Sequence, residues 1–259
     1  VIWGRRGSGV QRSGVAEVGP LGAVRVAVDG AAGGRWEALN HLVEVLIEAD
    51  AAGDEVAARS ALTLVAGVAG LVARLDRHAR QAPWYGPYQE SALRRVGTRF
   101  SVAASGPVAM ALASMHGDGR IRERAVAAMV DRPCPEVMPF LVLRTGDWVK
   151  PVRDRARAGL ALLLADDPGG YLPAVLPMAL RLDARRRGGF AVTQIRAALL
   201  SAPAEVWRGL LGAGGRRQRR FVFDIVLAQG LAASARLRDL RRDRLGCGDS
   251  GPGGGRGLP

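Results

Sequence analysis

The stretch that decides the fold is Asp147 to Leu164, DWVKPVRDRARAGLALLL. It reads as the first helix of a two-helix unit. Small residues at Ala156, Ala158, Gly159 and Ala161 let a neighbouring helix come close, while Leu160, Leu162, Leu163 and Leu164 supply apolar area. A helix this apolar is expected to be buried most of the way round. A partial copy lies upstream: IRERAVAAM from Ile121 matches VRDRARAGL from Val152, 31 residues on. Ile121 pairs with Val152, Arg122 with Arg153, Glu123 with Asp154, Arg124 with Arg155 and Ala125 with Ala156. Each copy is followed by a Pro-containing apolar segment, PEVMPFLVL from Pro135 and YLPAVLPMAL from Tyr171. Both read as a second helix with an internal proline.

Self-similarity at a fixed period of this size marks stacked helical hairpins. One hairpin cannot bury its apolar stripe alone, so neighbours stack and share a continuous core. Asp147, Val152, Arg153, Ala156 and Leu160, with Asp118, Ile121, Arg122, Ala125 and Met129 before them, form a pattern that resembles the HEAT-type repeats, in particular the short bacterial kind. The likeness spans Asp118 to Leu182. It implies an all-α fold, an α-solenoid of stacked antiparallel helix pairs, and a scaffold that binds a partner. It implies no reaction. The organisation expected is a Gly-rich unstructured segment over residues 1–34, a HEAT-like helical domain over 35–245 and a disordered Gly/Pro tail over 246–259.

Charge sharpens this reading. Of 37 basic residues only Lys150 is a lysine, a bias typical of GC-rich coding. The net charge of +13 is regional: residues 37–180 balance 16 basic against 16 acidic residues, whereas residues 181–245 hold 15 Arg against 5 acids. The Arg groups of that segment are Arg185, Arg186 and Arg187, then Arg216, Arg217, Arg219 and Arg220, then Arg236, Arg238, Arg241, Arg242 and Arg244. The first two groups precede helices, so they are candidates for binding phosphate or an acidic protein along one edge of the stack. A protein partner is the first expectation. A nucleic acid held by the basic C-terminal face is the alternative, salt-sensitive and poor in sequence specificity.

The remaining chemistry is mostly excluded. Lys150 lies before Pro151 in a turn, so no phosphate-binding loop of the G-x-x-x-x-G-K type exists. His41, His78 and His116 form no H-E-x-x-H, and Cys134 and Cys247 give no zinc spacing. Gly248-Asp249-Ser250-Gly251 resembles the nucleophile motif of trypsin-like proteases, but no strands surround it to hold a His and an Asp. HEAT-like alkylpurine DNA glycosylases use Trp, Asp and Arg, and Asp147-Trp148 fits that resemblance. The simpler reading makes Asp147 a cap and Trp148 packing between repeats. No catalytic residue, cofactor or metal is therefore assigned.

Two cysteines give no disulfide framework, and a reduced, cytoplasmic setting is expected. The charge-free run from Ser60 to Ala73 is 14 residues, short of the roughly 20 a bilayer needs, so no membrane association is expected. Residues 35–51 carry helical spacing. Gly53 then breaks the chain and Asp54 caps one helix running to about Arg80. Ala82 to Tyr88, rich in Pro, Trp and Tyr, reads as a loop plugging the end of the stack.

Overall fold

The computed structural model describes residues 19–81, 92–183 and 188–228. They form thirteen α-helices and one short 3-10 turn, and no strand occurs among them. The chain is all-α, as its periodicity indicates. The helices are α1 Pro20–Ala31, α2 Trp36–Ala51, α3 Glu55–Gly67, α4 Leu71–Gln81, α5 Ala92–Arg99, α6 Pro107–Ala113 and α7 Gly119–Asp131. After the 3-10 turn at Pro135–Val137 come α8 Met138–Arg144, α9 Lys150–Asp166, α10 Pro168–Leu182, α11 Gly189–Ser201, α12 Ala204–Ala213 and α13 Arg216–Ala228.

From α7 onward the packing alternates. α7 lies against α9, α9 against α11, and α11 against α13; α8 lies against α10, and α10 against α12. Each helix from α6 to α10 also meets its successor in the chain, as α12 meets α13. The approach of α7 to α9 is close because position 159 has no side chain: a Cβ there would stand 2.2 Å from Cγ2 of Val130. Ala156 and Leu160 fill the rest of that seam and are fully buried.

Two features of the sequence copies recur in the turns before α7 and α9, which begin 31 residues apart at Gly119 and Lys150. Arg122 donates through Nη1 to the carbonyls of His116 and Gly117, both at 2.8 Å. Arg153 donates through Nη1 to the carbonyls of Asp147 and Trp148, at 2.9 and 3.3 Å. The Asp118 N–H donates to His116 Nδ1 at 3.0 Å, and the Val149 N–H to Asp147 Oδ1 at 2.9 Å. In this register His116, not Asp118, stands where Asp147 stands. Asp118 instead caps α7 by accepting the Arg120 N–H at 2.8 Å.

Four expectations need correction. Residues 20–31 are helical: Pro20 occupies the first turn, where its missing N–H costs nothing. Val24, Ala27, Val28 and Ala31 then fall on one face and bury against α2 and α3. Gly content and the alternation of Val24, Val26 and Val28 conceal that stripe. The helix expected from Asp54 to Arg80 is two helices, bent by 97°. Gly70 makes the elbow, with φ +79°, a backbone state that favours glycine. Asp54 does cap α3, accepting the Ala57 N–H at 3.0 Å. Helix α9 is not buried most of the way round: Pro151, Arg155, Ala158 and Leu162, the last 63% exposed, form an open stripe along it. Finally, Pro139 sits in the first turn of α8, so only α10 carries internal prolines.

Residues 1–18, the aromatic segment from Ala82 to Tyr88 and the tail from residue 229 lie outside the described residues. No helix among the described residues is long and apolar enough to cross a membrane; the bend at Gly70 divides the most apolar run.

Candidate functional site

Two places gather charged side chains. The first is a buried cluster on Asp147. Its side chain has no exposed area and accepts five hydrogen bonds. Oδ1 takes Arg122 Nη2 at 3.1 Å and the Val149 N–H at 2.9 Å. Oδ2 takes Arg122 Nε at 3.1 Å, Arg144 Nη1 at 3.0 Å and Arg80 Nη2 at 3.3 Å. Asp76 completes the cluster, accepting from Arg144 and, at 3.2 Å, from Arg80. One carboxylate thereby ties α4, α7, α8 and the turn into α9.

Burial alone would raise the Asp147 carboxyl. The Arg122 hydrogen bonds and the Arg144 charge overcome that and hold it below the usual carboxylate range. Burial also weakens the hold of Arg144 on its proton, which Asp76 and Asp147 partly restore.

This geometry fixes what Asp147 can do. Its lone-pair directions are all taken by donors and water cannot reach it, so no acceptor capacity remains for a substrate. Trp148 is 67% exposed rather than packed between helices; its ring lies 5.8 Å from Cζ of Arg122. The glycosylase resemblance thus loses its acid, and Asp147 has a structural task. Among the described residues no three His, Cys, Asp or Glu come together as a metal-ligand set. His78 is buried, 2.7 Å through Nε2 from Asn40 Oδ1, and burial lowers its pKa.

The second place is an apolar groove of about 670 Å³, formed where the α3–α4 elbow faces α8, α10 and the start of α13. Its floor is the outer face of α10. Pro173, Pro177 and Arg181 fall one turn apart there, and all three are exposed. Proline has no N–H, so Pro177 leaves the Pro173 carbonyl without its helical donor, and Pro173 does the same to Gly169. Val68, Val72 and Ala174 add apolar wall. The Arg181 guanidinium lies across the elbow: a Cβ on Gly70 would be 3.0 Å from Arg181 Nη1.

The groove sorts the arginines picked from the sequence. Arg216 and Arg217 line it. Arg219 instead donates to the Gly214 carbonyl at 3.0 Å, and Arg220 stands 3.8 Å from Asp224 on its own helix. These four are exposed but do not form one face of shared purpose. Arg185, Arg186 and Arg187 lie outside the described residues. Sequence reasoning missed Arg181, although a Pro-Pro-Arg stripe at four-residue spacing in an apolar helix was a readable signal.

No protein-family model, curated protein or solved structure matches this chain.

Proposed function

We propose that this protein is a non-enzymatic scaffold of HEAT-like helical repeats that binds another protein through the α10 groove. The observation that carries the reading is the groove: an apolar channel that the fold leaves uncovered among the described residues, with arginines at its edge. The alternating contacts of α7 through α13, and the matching hydrogen bonds of Arg122 and Arg153, support a stack of equivalent hairpins. A stack of that kind offers extended surface in place of an enclosed reactive pocket.

The test is capture by the tagged full-length chain from nuclease-treated extract at high salt, beside the Pro177→Trp variant. Pro177 is exposed and points its ring at the groove, so Trp there fills the channel and restores a backbone donor to α10. Capture of a protein that Pro177→Trp abolishes, at unchanged melting temperature, is the expected result. Capture unaffected by that variant removes the groove from the account. Capture that disappears on nuclease treatment would favour the nucleic-acid alternative.

A further inference from the structure

We propose that the occupant of the α10 groove is an acidic peptide segment, its carboxylates at Arg181, Arg216 and Arg217 and its apolar side chains over Pro173, Pro177 and Val68. This rests on the reading of the groove as a protein-binding surface.

Arg181, Arg216 and Arg217 all line the groove, and none forms an ion pair or side-chain hydrogen bond with another described residue. Arg216 and Arg217 open α13, whose first turn holds no acidic residue. A helix N-terminus already carries positive partial charge, so cations placed there repel it and an incoming anion relieves both. Guanidinium groups hold only donors and match carboxylate geometry with two parallel hydrogen bonds. Positive charge with no counter-ion among the described residues therefore lines the channel.

The rest of the lining is of another kind. Pro173, Pro177, Val68, Val72 and Ala174 are apolar, short or rigid, and lose little freedom when covered. A phosphate backbone needs a track of positive charge along its length. Here three arginines share the lining with a hydrocarbon strip. An acceptor occurs as well: the Pro173 carbonyl, which Pro177 leaves without its helical donor. A peptide with an acidic head, an apolar body and backbone N–H groups supplies each missing complement, whereas a nucleic acid supplies only the first.

Fluorescence anisotropy on the full chain tests this with three labelled peptides. The first has three acidic residues followed by five drawn from Leu, Val and Ala. The second replaces the acids by Lys, and the third replaces the apolar residues by Ser. The first should bind at least tenfold more tightly than either of the others. The double variant Arg216→Glu/Arg217→Glu should invert the preference between the first two, an outcome that misfolding cannot produce. Equal binding of the acidic and Lys peptides, or binding of neither, overturns the proposal. So does binding of a single-stranded oligonucleotide that the double variant abolishes while peptide affinity stays put. Failure of the peptides alongside extract capture that Pro177→Trp still abolishes rejects the acidic occupant and leaves the scaffold standing.

Discussion

Arg122 and Arg216 are the same residue in opposite circumstances. Arg122 is 1% exposed; it spans both oxygens of Asp147 and two backbone carbonyls. Arg216 is exposed, opens a helix whose dipole repels it, and finds no counter-ion among the described residues. With 37 basic residues, charge alone separates nothing. What separates the two groups is which carboxylates the fold delivers. Three arginines converge on Asp147 and Asp76 in the interior. At the groove no carboxylate is delivered to Arg181, Arg216 or Arg217. The first group holds the molecule together; the second has no counter-ion among the described residues.

That contrast breaks most readily at its centre. Asp147→Ala strands Arg122 as a buried cation without a counter-ion and leaves Arg144 with Asp76 alone, and should cost about 3–5 kcal/mol in urea unfolding. A loss below about 1 kcal/mol, the worth of an exposed pair, would mean that the interior cluster is no different from a surface one. Arg122→Lys comes next. An ammonium cannot bridge two carboxylate oxygens and two carbonyls in fixed directions, so a loss of about 2–3 kcal/mol is expected from the same measurement.

Acidity sharpens the comparison further. The Asp147 carboxyl titrates below its unfolded value of about 4. Its contribution is therefore complete above that pH and is lost as the pH falls through the folded value. The stability gap between the native chain and Asp147→Asn should narrow steadily below about pH 4. The buried His78, whose lowered pKa also makes acid destabilising, is common to both proteins and cancels. A gap independent of pH would show that the charge on Asp147 is not what the arginines hold.

The smallest effect belongs to the groove. Arg216→Glu and Arg217→Glu should each change stability by no more than about 0.5 kcal/mol, and in the favourable direction, because an anion suits the start of α13. Thermal melts at low salt give the sign. Clear destabilisation by either would place those arginines with the structural group.

The sequence carries one half of this contrast far better than the other. The matched hydrogen bonds of Arg122 and Arg153 follow from residues a few positions apart, so the 31-residue copy from Ile121 to Val152 points to them directly. The cluster at Asp147 was not legible. Asp76 and Arg80 reach it from α4 across more than sixty residues, and a long-range ion pair leaves no local spacing. The elbow at Gly70 was hidden because a glycine inside an apolar run reads equally as close packing or as a turn. Its φ of +79° decides for the turn. For the groove, the Arg216–Arg220 run suggested one basic edge, but only Arg216 and Arg217, at the very start of α13, line it; Arg220 sits a turn further along the helix, beside Asp224.

The two prolines of α10 have a consequence of their own. Pro173 and Arg181 are separated by about 12 Å along the helix axis, at 1.5 Å per residue. One terminus of that strip can solely accept hydrogen, through a carbonyl freed by a ring; the other can solely give it. Such a strip has a heel and a toe. An acidic segment of the kind proposed for the groove would, threaded in reverse, set its carboxylates against the carbonyl oxygen, so the strip would take it in one direction.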